Sequence, residues 1–198
     1  MQLGQAPVAV SLHATKVFGV GEGGALLCRK PAVMERVRRL AQFGFLGTRE
    51  SLVSGTNAKL SEYAAAVGLA ALDTWSDART RWMVAASRYR RLVPKQIMLL
   101  PGFGTGWVSS TMTVLFPSEP PEVALRARGI ETLRWWGPGC HAQPAYAACG
   151  RESLPVTEDL ARRSIGLPFW QDLTEGQVER VCDAVRSCLT TSGKRVAA

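Results

Sequence analysis

The sequence lacks the features that mark membrane-spanning, disulfide-stapled and zinc-binding proteins. No apolar run approaches the length of about 18 residues that a membrane helix needs, and the first ten residues do not resemble a signal peptide. The 5 cysteines form no C-x-x-C pair, and the 2 histidines lie far apart in the sequence. We therefore expect a cytoplasmic protein with reduced thiols, no metal site and no membrane partner.

Acidic residues are also scarce, since 16 of them face 24 basic residues, which leaves a net charge of +8. Such a positive field attracts nucleic acid, acidic lipid or phosphorylated metabolites. Most of the excess is arginine at helix-like spacing, and no basic run alternates with aromatic residues as in a single-strand nucleic-acid groove. Solvated helix faces are therefore the favoured interpretation, with a basic nucleic-acid-binding module as an alternative from another class.

What the sequence does contain is the pattern of a globular α/β protein, with 46% hydrophobic and 20% charged residues in 198. Two short apolar stretches, Pro7 to Leu12 and Gly24 to Cys28, flank a glycine-rich segment and predict strand, loop and strand. A helix is predicted to begin at Pro31, where the missing N–H of proline costs nothing. The alanine- and leucine-rich run from Ser61 to Trp75 predicts a longer helix that Ser61 caps.

The second half of the chain mixes shorter elements. The patterns predict strands at Trp107 to Phe116 and around Ile130 to Trp135, and helices at Pro121 to Arg128, Thr157 to Arg163 and Thr174 to Leu189. Thr174 and Gln177 form a capping-box pattern for the last helix. We therefore divide the chain into an α/β part at residues 1–78, an α+β part at 79–190 and a frayed tail at 191–198.

Lys16 is the residue best placed for chemistry. It follows a short apolar strand and precedes a glycine-rich turn, a place where an amine can be held out of bulk water. A neutral amine attacks carbonyl carbons to form a Schiff base. By itself the pattern is more typical of a surface loop lysine, so the case rests on the wider motif.

That motif and three later blocks resemble one known family. The residues Ser11, His13, Thr15 and Lys16 with the turn Gly21-Glu22-Gly23-Gly24 resemble the lysine motif of the DegT/DnrJ/EryC1/StrS family of pyridoxal-phosphate-dependent sugar aminotransferases. The other blocks are GTNAKLSE (55–62), PGCHAQPAY (138–146) and the segment 154–186, which follow in the family's order. Four ordered blocks across nearly the whole chain make chance resemblance an unsatisfactory explanation.

The resemblance implies a fold, a cofactor and roles. The fold would be the C-terminal half of a fold-type-I pyridoxal-phosphate-dependent transferase: the end of the large-domain mixed sheet plus an α+β small domain. Lys16 would carry pyridoxal 5'-phosphate covalently, Ser11 would bind its phosphate, and Asn57 would reach the phosphate in the partner subunit of a homodimer with shared active sites. His141 and Tyr146 would lie near the substrate.

The implied reaction moves an amino group from an amino acid such as glutamate to a nucleotide-linked keto-deoxysugar. A lysine at position 16 argues against the family's dehydratase branch, which has a histidine there. Two departures bear on this expectation. Lys59 and Leu60 stand where the family has Arg and Met, and the family's N-terminal half, which holds the acidic partner of the cofactor ring nitrogen, has no counterpart here. A non-catalytic fragment that retains the fold is therefore the first alternative.

Overall fold

The computed structural model describes residues 6–195, of which residues 191–195 are described by their backbone alone. The chain divides into two compact units, unit 1 up to Ser76 and unit 2 from Asp77. Within the described part, no helix combines the length and the apolar character needed to cross a membrane.

Unit 1 consists of one β-hairpin and two helices. Strands β1 (Val8–Ser11) and β2 (Gly24–Leu27) pair antiparallel, with Ser11 opposite Gly24. Helix α1 (Pro31–Leu40) begins with proline, as the sequence predicts. Helix α2 (Glu62–Asp73) begins after Ser61, whose hydroxyl oxygen accepts a hydrogen bond from the Ala64 N–H at 3.1 Å, so the predicted cap is confirmed.

Unit 1 buries few of its side chains. Among its described residues, only Val20, Gly44 and Ala64 are buried. Helix α2 is apolar around most of its circumference, a pattern typical of a helix enclosed on several sides. Large apolar side chains are nevertheless exposed throughout the unit: Val10, Leu27, Leu40, Phe43, Leu52, Leu60, Tyr63, Leu69 and Leu72. Local backbone hydrogen bonds therefore determine much of its conformation.

Unit 2 is a three-stranded antiparallel sheet with helices. Helix α3 (Trp75–Leu92) begins at the end of unit 1, and the sheet order is β3 (Met98–Leu99), β4 (Met112–Leu115) and β5 (Ser164–Leu167). The remaining helices are α4 (Glu122–Arg126), α5 (Pro155–Arg163) and α6 (Glu175–Arg195). Alternating residues of the central strand, Met112 and Val114, are fully buried with Tyr89 and Leu125 in one core.

Tyr89 anchors this core through both ends of its side chain. Its ring lies 6.0 Å from that of Phe169, and its hydroxyl donates a hydrogen bond to the Pro168 carbonyl at 2.5 Å. Burial raises the pKa of the hydroxyl, since the charged form has lost its water. Because a buried polar group without a partner is costly, this hydrogen bond is what permits a tyrosine at the centre.

The last helix, α6, begins at its predicted capping box. The Thr174 N–H donates to Gln177 Oε1 at 2.9 Å, and the Gln177 N–H donates to Thr174 Oγ1 at 3.3 Å, so the capping box is confirmed. The helix extends to Arg195, into the segment for which the sequence predicts a frayed tail. The rest of that predicted tail, residues 196–198, lies outside the described residues.

Two strand predictions were wrong in part. The strand expected from Trp107 begins only at Met112, because just before it the Ser109 hydroxyl donates to the Thr111 carbonyl at 2.6 Å and accepts from the Thr111 N–H at 3.1 Å. The strand expected around Ile130 to Trp135 reduces to one bridge between Leu133 and Gly166. Strands β3 and β5 were missed, since β3 has only two residues and β5 follows helix α5 at once, with no turn residue to mark its start.

Cys182 provides a test of this core. Burial raises the pKa of its thiol to about 11, above the ordinary value near 9. The folded state binds the thiol proton more tightly than the unfolded state does. The contribution of Cys182 to the free energy of unfolding is therefore complete below about pH 9 and is lost as the pH rises toward 11. In urea unfolding, the destabilisation caused by Cys182→Ala should therefore shrink by about 2 kcal/mol between pH 7 and about pH 10.5.

Val185→Ala serves as the control for that experiment. Val185 is buried on the same helix and cannot titrate, so Val185→Ala should lower the free energy of unfolding by the same amount at both pH values. An equal loss for Cys182→Ala at both pH values would contradict the expected titration.

Candidate cofactor site

Lys16 lies on a loop that backbone hydrogen bonds close. The Leu12 N–H donates to the Gly23 carbonyl at 3.0 Å, and the Leu12 carbonyl accepts from the Val20 N–H at 2.8 Å. A further bond joins the Ala14 N–H to the Gly21 carbonyl at 2.7 Å. Since these bonds span the loop from both sides, Lys16 has a defined position even though the unit has little core.

The Lys16 side chain is exposed, and within the described residues its amine has neither a hydrogen bond nor an ion pair. The expectation that the loop holds this amine out of bulk water was therefore wrong for the residues described. The reason is compositional: the glycines of the turn offer no side chains that could cover it. What the loop does provide is a free amine on a backbone that hydrogen bonds hold in place.

His13 braces the same loop. Its Nδ1 accepts a hydrogen bond from the Thr15 N–H at 3.2 Å and lies 2.9 Å from Thr15 Oγ1. Because Nδ1 is an acceptor, the neutral ring carries its proton on Nε2, which lies 3.4 Å from Glu22 Oε1. The side chain of Glu22 is 86% exposed, so this contact orients the ring more than it stabilises the fold.

Ser11 lies at the end of β1, at the base of the loop. Its hydroxyl oxygen accepts a hydrogen bond from the His13 N–H at 3.3 Å, and no described residue accepts the hydroxyl proton. Ser11 can therefore donate that proton to an anionic oxygen. A phosphate-binding role requires such a free donor.

Asn57 is held by pairing across the loop that joins α1 to α2. Asn57 forms an antiparallel β-bridge with Gln42. The Phe43 N–H donates to the Thr56 carbonyl at 3.1 Å, and the Ala58 N–H donates to the Ala41 carbonyl at 3.0 Å. Gly44 adopts φ +90°, and a Cβ there would collide with the Val53 carbonyl. Only glycine can adopt this positive φ without strain and also leave room for the Val53 carbonyl.

The Asn57 segment approaches the lysine loop through one apolar contact. A Cβ added to Gly23 would lie 2.6 Å from Leu60 Cδ1, so the two residues approach each other closely. Ser11, Lys16 and Asn57 thus belong to one unit, with their two loops in contact. No direct hydrogen bond joins Asn57 to Ser11 or Lys16 among the described residues.

Asn57 also has a neighbour that the motif did not reveal. The Lys59 ammonium donates to Asn57 Oδ1 and lies 5.2 Å from the centre of the Phe43 ring. Phe43 is half exposed and has φ +57°, which is uncommon for a bulky residue. Sequence reasoning noted Lys59 only as a departure from the family pattern, because Phe43 is too distant in sequence to suggest the contact.

His141 and Tyr146 lie in unit 2, on two short 3-10 turns at Cys140–Ala142 and Pro144–Tyr146. The His141 side chain is 11% exposed, and its Nε2 lies 3.5 Å from Glu158 Oε1. Arg151 donates to the His141 carbonyl at 2.8 Å. Tyr146 is half exposed and does not share these contacts.

A cavity of about 380 Å³ adjoins His141. Arginines and one carboxylate line it beside the imidazole: Arg134, Arg151, Arg162 and Glu158. Arg134 is already engaged by Glu122, with 2.7 Å between Nε and Oε1, and by the Ala161 carbonyl at 3.0 Å. The structure therefore places His141 at a cavity bordered by three arginines and Tyr146 away from it, and no spacing in the sequence predicted the arginines.

Unit 1 fits the cofactor that the sequence motif implies. Pyridoxal phosphate needs an amine for its aldehyde and donors for its phosphate. Lys16 provides the free amine, Ser11 a free hydroxyl proton, and Asn57 an amide NH2 without a partner among the described residues. The described residues contain no group of three metal-ligating side chains.

Comparison with known proteins identifies the family. The DegT/DnrJ/EryC1/StrS aminotransferase family model matches residues 3–186. The chain belongs to this family. The chain is 42% identical over 188 residues to the dTDP-4-amino-4,6-dideoxy-D-glucose transaminase of Shigella dysenteriae, covering 89% of the chain and 51% of that relative.

A second family member, the dTDP-3-amino-3,4,6-trideoxy-alpha-D-glucose transaminase of Streptomyces venezuelae, is 35% identical over 92% of the chain and 50% of its own length. A crystal structure from Bacillus cereus ATCC 10987, assigned as a PLP-dependent aminotransferase, matches with a TM-score of 0.85 and 29% identity, covering 92% of this chain and 52% of that one. The predicted fold, part of a fold-type-I transferase, and the predicted family cofactor are thereby confirmed. The chain spans about half the length of the curated relatives it matches.

Two glycines of the Asn57 loop give a matched test of how this family motif is positioned. Gly44→Ala adds a collision with the Val53 carbonyl to the strain of a positive φ, and should lower the free energy of opening of the loop by about 2 to 5 kcal/mol. Gly47→Ala, at φ +74° with open space around it, should lower it by only about 1 to 2 kcal/mol. Hydrogen exchange of the Thr56 and Ala58 amides measures both, and equal effects would rule out the collision.

Proposed function

We propose that this chain is part of a pyridoxal-phosphate-dependent aminotransferase that acts on nucleotide-linked keto-deoxysugars and takes the amino group from an amino acid such as glutamate. The observation that carries the proposal is the free Lys16 amine on a loop closed by backbone hydrogen bonds, with the free hydroxyl proton of Ser11 at the base of that loop. The names of the relatives from Shigella dysenteriae and Streptomyces venezuelae support the substrate class, because both are dTDP-amino-sugar transaminases.

Each site residue has a role in this proposal. When bound, the cofactor supplies an electron sink that makes a carbon next to nitrogen acidic. Lys16 would hold the cofactor covalently until the substrate amine displaces it, and the freed Lys16 amine would then move the proton between the two carbons that exchange the amino group. Ser11 donates to the cofactor phosphate, and Asn57 donates to it from the partner subunit of a homodimer. His141 and Tyr146 contact the nucleotide sugar.

The two units correspond to two domains in this proposal. Residues 1–78 form the end of the cofactor-binding large domain, and residues 79–190 form the small domain. His141 supports a substrate role for the second domain, because it adjoins a cavity that could receive a ligand. Tyr146 enters the proposal from the motif alone.

The other candidate functions receive unequal support. Exposed apolar side chains throughout unit 1 favour a polypeptide that retains the fold without activity by itself. A nucleic-acid-binding module is disfavoured, because arginines of unit 2 pair with carboxylates instead of forming an open basic face. Arg81 pairs with Asp172, Arg91 with Glu175, and Arg162 and Arg163 with Asp159.

Selective labelling of Lys16 tests the proposal. After incubation with pyridoxal phosphate and borohydride reduction, peptide mapping should find label on Lys16 about tenfold above Lys30, Lys59 and Lys95, because the phosphate contacts of the site favour binding there. Pyridoxal, which lacks the phosphate, should label the lysines evenly. Ser11→Ala should lower the preference for Lys16, and even labelling by pyridoxal phosphate in the unaltered chain would contradict the proposal.

A mixing experiment tests the shared site. Asn57→Ala chains should bind pyridoxal phosphate about tenfold more weakly at Lys16, because a hydrogen bond to a charged phosphate is lost. Adding Lys16→Ala chains, which retain Asn57, should restore labelling of Lys16 on the Asn57→Ala chains if Asn57 acts across a dimer interface. Heterodimers that form without restoring the label would show that Asn57 serves its own subunit.

A further inference from the structure

Lys59 and Asn57 form a pair whose chemistry determines how the amide is oriented. The Lys59 ammonium carries three donors and no acceptor, so only the oxygen of the Asn57 amide can face it. The structure has this arrangement, with Lys59 Nζ donating to Asn57 Oδ1. The Asn57 NH2 is therefore turned away from Lys59, and it has no hydrogen-bond partner among the described residues.

Phe43 keeps the ammonium in place. Lys59 Nζ lies 5.2 Å from the centre of the Phe43 ring, within the range of a cation–π contact. The backbone of Phe43 is itself held, because its N–H donates to the Thr56 carbonyl at 3.1 Å and its carbonyl accepts from Ser51 Oγ at 2.9 Å. The ring is thus attached to the strand bridge that carries Asn57, so ring, ammonium and amide form one assembly.

We propose that Lys59 is a positioning residue for Asn57: seated on the Phe43 ring, it holds the amide oxygen so that the amide NH2 donates to a phosphate, and its charge adds to the attraction of that phosphate. This inference rests on the proposed function of Asn57 and extends it to two residues, Lys59 and Phe43, that the site proposal does not include. An unpaired asparagine amide presents its oxygen or its NH2 with equal ease, whereas a phosphate accepts only from the NH2. Lys59 removes the unproductive orientation.

The effect of substituting Lys59 or Phe43 depends on the hydrogen-bond donors and the shape of the new side chain. Lys59→Met keeps a similar length but removes the charge and the donors, so the amide loses its fixed orientation. Lys59→Arg restores both, since guanidinium also has donors only, although its planar shape differs from that of an ammonium. Phe43→Leu keeps an apolar contact but removes the ring face, so it should weaken the arrangement less than Lys59→Met.

The experiment uses inorganic phosphate as the probe and the complete 198-residue chain. Lys59→Met should raise the dissociation constant for phosphate about tenfold, and Phe43→Leu about threefold, while Lys59→Arg stays within about twofold of the unaltered chain. Lys30→Met removes the same charge from an exposed lysine in the same unit and should also stay within about twofold. This control separates orientation from a general loss of positive charge.

A spectroscopic readout distinguishes positioning from a general effect on folding. The ¹³C chemical shift of the Asn57 side-chain carbonyl reports the hydrogen bond from Lys59 directly. It should change in Lys59→Met, return toward its original value in Lys59→Arg, and stay unchanged in Lys30→Met. Phosphate should then shift the signals of the Asn57 NH2 in the unaltered chain.

The outcomes separate this inference from the proposed function. An Asn57 carbonyl signal unchanged by Lys59→Met would overturn the positioning role, whatever the labelling of Lys16 shows. A changed signal with unaltered phosphate affinity would overturn it as well, because the orientation would then have no effect on binding. If the signal and the affinity both change while Lys16 is not labelled selectively, the inference holds and the proposed cofactor role fails.

Discussion

The candidate cofactor site depends on the two backbone hydrogen bonds of Leu12. The Leu12 N–H donates to the Gly23 carbonyl, and the Leu12 carbonyl accepts from the Val20 N–H. One residue therefore connects both sides of the loop that carries Lys16. Ser11 precedes this point, His13 follows it, and Gly23 is the residue against which Leu60 packs. Without this closure, a glycine-rich loop would sample many conformations and the lysine would have no fixed place.

The two units obtain their order from different forces. Unit 2 buries its central strand in a core with helices, with Tyr89, Met112 and Phe116 at most 1% exposed. Unit 1, which holds Ser11, Lys16 and Asn57, relies on strand pairing, loop closure and caps. Burial of apolar surface is the dominant stabilising force in folding, so the structural elements of unit 1 are the less strongly held of the two.

The positive charge of the chain shows how little net charge says about function. In unit 2 the arginines form pairs and reach backbone carbonyls, as Arg88 does with the Leu173 carbonyl and Arg163 with the Phe116 carbonyl. These contacts position loops against helices. In unit 1, the Lys59 ammonium instead donates to the Asn57 amide oxygen and lies over the Phe43 ring.

Features that depend on neighbours in sequence were predictable from the sequence. The hairpin, the proline start of α1, the Ser61 cap, the capping box of α6 and the lysine motif all arise from residues a few positions apart, where local geometry leaves few choices. The family, and through it the fold of the whole chain, followed from the order of such local blocks.

The tertiary structure alone decided what depends on residues distant in sequence. The pairing of β3 and β5 with β4, the exposure of the Lys16 amine, the contact of His141 with Glu158 and the seat of Lys59 on Phe43 belong to this group. A strand of two residues has no periodicity to recognise, and a cation meets an aromatic ring 16 residues away only because the loop between them folds back on itself. Such contacts are set by the path of the backbone in space, which local sequence patterns do not encode.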